Sequence, residues 1–275
     1  MEARALWTPG EPGISAYRRD GYLIARGLFD SSEIEELREV FTAMGARGPV
    51  AGLSDTGGRL NPGEPLARWP RMMHPHRHPE LPVGPLALRI MLDERLHGIL
   101  RELLADEVLA AQSMFYFKPP GARGQDLHQD NFYLRVKPGN CMAAWIAVDD
   151  ADRENGGMVA VPGSQHCAIS CPEQSRSEKF FTSEHVPVPA GLREVPINLK
   201  AGDCFFFNGS VIHGSYPNVS ASRFRRAFIC HYVPISSAEV SQWYRPLLSF
   251  EQKEVAVASA IGGGPCGTAT GEERV

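Results

Sequence analysis

No run of apolar residues in this 275-residue chain approaches the roughly 18 that a membrane-crossing helix needs. The N-terminus carries acidic Glu2 where an export signal would be apolar. Neither a span nor a signal is expected, and the chain reads as cytoplasmic. A positive field is missing too: the formal net charge is −4, the sequence isoelectric point is near 6.1 and the arginines are scattered. That argues against nucleic acid or an anionic membrane surface as partner. The cysteines at 141, 167, 171, 204, 230 and 266 contain no C-x-x-C pair, and a chain of this length needs no disulfide staples, so reduced thiols are expected. No internal repeat or low-complexity block interrupts the chain. What remains is enough sequence to bury a full core as one domain over 1–275, acting on a small molecule as a monomer or homodimer.

Pro9, Gly10, Pro12 and Gly13 make residues 1–13 an irregular lead-in. Residues 14–20 fit a short helix and 21–27 a β-prone run bounded by glycines. A longer helix follows, capped by Ser31 or Ser32 with Glu35 closing a capping box, and Ile34, Leu37, Phe41 and Met44 recur at helical spacing. Residues 45–85, rich in Gly, Pro and Arg, lack a period and read as a long active-site loop. Within it Pro75 and Pro79 impose extended geometry on His74, His76 and His78, which read as solvated or substrate-facing and not as ligands. Residues 85–104 predict one helix with Leu88, Leu92, Leu96, Ile99, Leu100 and Leu103 on a single face.

Beyond Glu107 the period becomes two, and 108–117, 140–148, 157–161, 195–199, 204–207 and 225–233 are strand candidates. Helices in the N-terminal third followed by dense short strands predict an α+β chain with a β-sandwich or barrel core. Residues 239–250 are expected to close over that core or to serve a subunit contact. The glycine-rich segment 261–275 reads as a flexible tail.

Chemistry concentrates at Asp126-Leu127-His128-Gln129-Asp130. In a strand, residues i and i+2 share a face, so His128 and Asp130 can grip one metal ion. A second histidine would complete a two-His-one-carboxylate set, which leaves three positions of an octahedral ion open, as an O2-activating Fe(II) enzyme requires. Among the downstream His166, His185, His213 and His231, His213 is the best candidate, because nearby Gly209 and Gly214 let the backbone approach a metal. In the last predicted strand Arg225, Ala227, Ile229 and His231 share one face and Arg226, Phe228 and Cys230 the other. One arginine can therefore point inward. A buried guanidinium needs an anion, and a dicarboxylate that chelates iron at one end offers its far carboxylate, which is the logic of 2-oxoglutarate binding. The rivals are a zinc hydrolase and a cupin-like binding or sensor protein with an inactive metal site.

Over roughly residues 14–235 the chain resembles the phytanoyl-CoA dioxygenase family of Fe(II)- and 2-oxoglutarate-dependent oxygenases. The resemblance rests on Asp20-Gly21-Tyr22-Leu23 and the helix after Gly27-Leu28-Phe29, Lys118-Pro119-Pro120, Leu127-His128-Gln129-Asp130 and Ala143-Ala144-Trp145. It continues through Glu154-Asn155-Gly156-Gly157, Val161-Pro162-Gly163-Ser164, Gly202-Asp203, His213-Gly214-Ser215 and Phe224-Arg225-Arg226-Ala227. It implies a double-stranded β-helix (jelly-roll, cupin-like) core with helices packed on one side, iron held by His128, Asp130 and His213, and the far carboxylate of 2-oxoglutarate held by Arg225. Arg223 and Arg226 are the alternatives for that clamp. Trp145 and Met114 match pocket-lining positions of the family, although plain core packing explains both as well, and Gln129 is expected to bind neighbouring backbone.

The implied reaction uses O2 to oxidise, most simply to hydroxylate, an aliphatic C–H bond, with release of succinate and CO2. Desaturation or ring closure is the variant outcome, and chlorination is disfavoured because Asp130 is retained. Specificity is expected from loops at 45–85, 121–127 and 165–194 and from the segment after Tyr232. The first three hold Arg59, Arg68, Arg71, His74, His76, Arg77, Arg123, Arg176, Lys179 and Arg193, which favour a polar or anionic substrate.

Overall fold

The computed structural model describes residues 8–56 and 63–260. The expected tail at 261–275 and the first half of the lead-in lie outside these residues. Helix α1 (Gly10–Asp20) starts inside the expected lead-in and ends at Gly21, whose φ of +81° lets its N–H reach the Tyr17 carbonyl. Strand β1 (Tyr22–Ala25) and helix α2 (Ser31–Ala46) follow, and Ile34, Leu37, Phe41 and Met44 are buried as their spacing predicts.

The cap of α2 is Asp30 and not a serine. Its carboxylate accepts from the amides of Ser32 and Glu33, while Glu33 accepts from the Asp30 amide. An ionised carboxylate serves two amides at once, which a hydroxyl does less well. A second acidic cap splits the expected helix at 85–104 into α3 (Val83–Met91) and α4 (Glu94–Leu104): Asp93 is extended, with ψ 131°, and accepts from the Arg95 amide. Leu86, Ala87, Ile90 and Met91 therefore fill the core on the first half, while Leu88 and Leu92 are only half-buried.

The region 45–85 is largely irregular but carries the helix Pro65–Arg68, the short strand β2 (Met72–Met73) and a 3-10 turn at Pro75–Arg77. The strands that follow are β3 (Val108–Lys118), β4 (Gln125–His128), β5 (Met142–Ala147), β6 (Met158–Ala160) and β7 (Val195–Ile197). They continue with β8 (Cys204–Asn208), β9 (His213–Ser215), β10 (Arg225–Pro234), β11 (Leu247–Leu248) and β12 (Glu254–Val255).

These strands build an eight-stranded antiparallel sheet, ordered β1-β8-β5-β10-β3-β11-β12 with β2 on β3, and a four-stranded sheet, β4-β9-β6-β7. Period-two alternation gives the large sheet two different faces. Phe115, Ile146, Phe206, Phe228 and Cys230 pack against α2, α3 and α4, with Phe41 stacked on Phe115 at 4.2 Å. Met114, Trp145, Phe205, Phe207 and Ile229 point the other way, into a second cluster shared with Met158, Ala160 and Ile197 of the small sheet. The segment 239–250 closes over the core, one of its two expected roles: Tyr244 and Leu247 are buried, and β11 pairs with β3 at Ala110.

Cys171 is disulfide-bonded, against the expectation of free thiols throughout, whereas Cys141, Cys167, Cys204 and Cys230 are free. A disulfide needs only spatial proximity, which sequence spacing does not report. Among the described residues no helix is long and apolar enough to cross a membrane.

Asp30→Ala removes the carboxylate that caps the Ser32 and Glu33 amides and should lower unfolding free energy by about 1 kcal/mol in urea denaturation. An unchanged midpoint would show that tertiary packing alone holds that helix end.

Candidate metal centre

His128 ends β4, and His213 begins β9 directly opposite it in the antiparallel register, with ring centroids 4.2 Å apart. Asp130 joins them by a different route from the one expected. It has left the strand and is helical, with φ −62° and ψ −37°, at the start of the turn Asn131–Leu134. Gln129 sets that corner: its amide nitrogen donates to the Ser210 carbonyl at 2.8 Å and its oxygen accepts from the Ser170 amide at 2.9 Å. The side-chain ligand atoms of His128, Asp130 and His213 all lie within 4.8 Å of one another, and all three residues are buried.

Each imidazole is oriented by its own strand. Nδ1 of His128 faces the Asp126 carbonyl and Nδ1 of His213 the Val211 carbonyl, both at 2.9 Å. Those nitrogens must carry the proton, which leaves a bare Nε2 on each ring. Both Nε2 atoms stand 3.6 Å from the same oxygen, Asp130 Oδ1. The other oxygen, Oδ2, accepts from His231 Nε2 at 3.0 Å. The Gln125 amide lies 3.1 Å from His128 Nε2, so it would have to turn aside for an ion.

Burial, together with the adjacent His213, pulls His128 down to about 4. Burial pushes the Asp130 carboxyl up, but His213, His231 and His128 outweigh it and hold the group below the usual carboxylate range. Two neutral imidazoles and one carboxylate are the donor set that suits a divalent iron with open positions.

The same cavity ends in positive charge. Arg225 is 1% exposed, with its guanidinium 5.4 Å from the Trp145 ring centroid and Nε donating to the Gly156 carbonyl at 3.0 Å. Its Nη1 is buried without a partner. Lys118 stands opposite on β3, fully buried, with Nζ donating to Ser215 Oγ at 2.7 Å and to the Tyr216 carbonyl at 2.8 Å. Among the described residues no carboxylate pairs with either cation. Burial draws Arg225 down to about 10 and depresses Lys118 strongly. Gly156, with φ +87°, makes this arrangement possible, because a Cβ there would meet Lys118 Cδ at 2.3 Å.

The other expected residues divide clearly. Met114 and Trp145 line the cavity with Tyr116, Phe207 and Ile229. Arg223 is committed to Asp152 and Glu154, and Arg226 to Asp149 and Thr42, so neither alternative clamp is available. Arg68 binds the carbonyls of Gly45 and Ala46, Arg71 binds Asp55 and Tyr116, and Arg123 binds Glu64. Arg59 lies outside the described residues. His185 pairs with Asp126, and His78 with Glu80, both away from the centre. Sequence reasoning placed His231 on the inward face without a role and gave none to Lys118, although its motif was noted. The alternation that turns Arg225 inward carries His231 with it. Of the two readings for these histidines, solvated or substrate-facing, the first does not hold for His74 and His76: they are 6% and 8% exposed, because β2 pairing with β3 draws the loop into the core.

Two imidazoles and a carboxylate thus stand between antiparallel sheets, with an unneutralised guanidinium in the same cavity. The chain belongs to the phytanoyl-CoA dioxygenase family, whose model, Phytanoyl-CoA dioxygenase (PhyH), matches residues 17–227. It is 35% identical over 133 residues to Phytanoyl-CoA dioxygenase 1 of Oryza sativa subsp. japonica, a match covering 48% of this chain and 47% of that protein. It is 28% identical over 225 residues to the ectoine dioxygenase of Bordetella bronchiseptica, covering 75% of this chain and 70% of the relative.

Among solved structures, the epimerase SnoN in complex with Fe3+, alpha ketoglutarate and nogalamycin RO superposes with a TM-score of 0.62 at 21% identity, covering 85% of this chain and 84% of that one. The carbocyclase SnoK from nogalamycin biosynthesis superposes with a TM-score of 0.58 at 23% identity, covering 86% and 87%.

Burial first, then Arg77, pulls His74 down to about 2 and His76 to about 3 from an ordinary 6.5, so both are neutral in the folded chain. The unfolded chain protonates them near 6.5, so stability is full above that value and falls as pH drops below it. Urea midpoints measured from pH 7.5 down to 5 should fall less steeply in His76→Asn, by up to about 1.4 kcal/mol per pH unit. Parallel slopes would mean that His76 takes up its proton without unfolding.

Proposed function

We propose that this protein is an Fe(II)- and 2-oxoglutarate-dependent dioxygenase that hydroxylates an aliphatic C–H bond of a small, polar metabolite or natural-product intermediate. Its two sheets are read as the halves of one jelly-roll domain, with His128, Asp130 and His213 as the iron ligands. The observation that carries the reading is the cavity's charge pattern: a metal-ligand set together with a buried cation whose Nη1 has no protein acceptor. A dicarboxylic 2-oxo acid matches both features, and a zinc hydrolase has no use for the second.

Iron and 2-oxoglutarate, when bound, supply an oxidant able to take a hydrogen atom from carbon while the co-substrate becomes succinate and CO2. The chain's own residues prepare that chemistry. The carbonyls of Asp126 and Val211 keep the two Nε2 lone pairs turned inward. His231 holds Oδ2 of Asp130, so that Oδ1 is the oxygen presented to the metal. Arg225 orients the co-substrate through its far carboxylate, and Met114, Trp145, Phe207 and Ile229 keep the cavity dry. The ectoine dioxygenase relative supports a small polar substrate. The epimerase and carbocyclase share the fold, so the outcome of the reaction is read from product mass, as gain of one oxygen or loss of two hydrogens.

Anaerobic addition of Fe(II) and 2-oxoglutarate should produce a weak absorption band in the green, absent in Asp130→Ala; its absence from folded, iron-replete wild type would sink the proposal. Arg225→Ala should weaken 2-oxoglutarate binding roughly 10- to 100-fold in titrations of that band, the loss of a charge-assisted contact. His231→Leu should lower metal affinity about 10- to 100-fold while leaving the circular dichroism spectrum unchanged. Wild-type affinity in that variant would show that Asp130 is positioned without it.

A further inference from the structure

His128 and Gln125 of β4 pair with His213 and Ser215 of β9, so three steps along one strand answer two along the other. An extra residue of this kind re-aims the side chains beside it and takes its own backbone out of the ladder. The two amides inside the bulge donate to side chains: that of Asp126 to Thr182 Oγ1 at 3.1 Å, and that of Leu127 to Asp126 Oδ1 at 2.8 Å. One planar peptide unit then decides where His128 points. Its oxygen, the Asp126 carbonyl, faces His128 Nδ1, and its N–H, that of Leu127, is bound by the Asp126 carboxylate, so fixing one end fixes the other. Gly214 makes room opposite, because a Cβ there would meet the Gln125 carbonyl oxygen at 2.8 Å.

The bulge is fastened from outside its own sheet. Strand β4 lies at the edge, where unpaired backbone groups need cover, and the chain around residues 175–186 supplies it. The Val186 amide donates to the Leu127 carbonyl at 2.8 Å and the Phe181 amide to the Gly124 carbonyl at 2.9 Å. The buried Asp126 carboxylate also accepts from Ser175 Oγ at 2.6 Å and from His185 Nδ1 at 2.9 Å. These donors sit on the two arms of the short hairpin that pairs Glu173–Gln174 with Glu184–His185. One carboxylate thus holds both arms of the covering segment and the peptide that aims a metal ligand.

We infer that Asp126 is a positioning residue for His128, and that through it the segment 173–186 and a bound metal ion stabilise each other. Coupling of this kind is reciprocal: a looser segment weakens the metal, and the metal tightens the segment. The inference rests on the reading of His128 as a metal ligand and not on the reaction carried out there.

The test uses the full chain and Co(II), whose absorption reports both occupancy and ligand geometry. Asp126→Ala should weaken Co(II) binding about 10- to 100-fold and change the shape of its bands. Thr182→Val, His185→Phe and Ser175→Ala leave β4 itself intact, and each should weaken binding about threefold or more, the loss of one hydrogen bond. Ser175→Thr, which keeps the hydroxyl, should bind as wild type does. In wild type Co(II) should slow hydrogen exchange of the amides of 173–186, and in Thr182→Val and His185→Phe that slowing should shrink. A merely structural role would lower the urea midpoint and leave Co(II) affinity of the folded protein unchanged. That result in the three milder variants, weak binding by Ser175→Thr, or exchange in 173–186 that ignores Co(II) would each overturn the inference. Folded wild type that binds no Co(II) would overturn it together with the metal centre. Tight Co(II) binding without the green band of Fe(II) and 2-oxoglutarate would count against the oxygenase reading alone.

Discussion

A carboxylate without water is the constraint around which this molecule is arranged. Asp130 is buried, its Oδ2 accepts from His231, and its Oδ1 faces the bare Nε2 atoms of both His128 and His213. Moving His231 would leave that buried carboxylate without its donor. The elements that carry these imidazoles are fixed in turn. His128 and His213 are cross-strand partners in the small sheet, and His231 stands on the longest pairing of the large sheet, where β10 lies between β3 and β5. Two sheets are therefore tied to one carboxyl group.

The buried guanidinium of Arg225 is the counterpart of that anion. Arg225 and Lys118 are cross-strand partners on β10 and β3, and the apolar side chains that line the cavity keep water from screening the guanidinium. Nearby carboxylates that could have neutralised Arg225 are taken by its neighbours: Asp149 holds Arg226, and Asp152 holds Arg223. The outer face of the same sheet is largely apolar by contrast, so α2, α3 and α4 can seal it. Alternation along single strands thus sorts chemistry to one side and packing to the other.

That alternation is also what made the sequence readable. The long strands β3 and β10 show period two over enough residues to be found within a residue or two of their ends, and the facing of Arg225 and His231 follows from it. Strands β4 and β9 are too short to show a period, so the ligand residues could be picked out while the geometry joining them could not. Gln129 makes the difference: its two backbone hydrogen bonds turn the chain out of the strand, and no local propensity signals a corner made by residues about 40 and 80 positions away. Asp30 and Asp93 mislead in another way. Each is a charged residue whose capping strength outweighs a plausible serine cap or an uninterrupted leucine stripe. The two buried histidines of the 45–85 region were invisible for a tertiary reason, since β2 is drawn inward only by its pairing with β3.

The crowding at Gly156 bears on how this cavity could change over time. Any side chain there would strike the stem of Lys118 2.3 Å away, and its carbonyl already receives Arg225. Replacing Lys118 with something shorter frees space that Gly156 does not need, whereas replacing Gly156 first evicts the lysine. The order of substitutions therefore matters: losing the lysine first removes one obstacle to a side chain at 156, leaving the φ of +87° and the Tyr216 carbonyl, whereas replacing the glycine first evicts the lysine. Such one-way coupling between two adjacent positions makes the cationic end of the cavity easier to inherit than to rebuild.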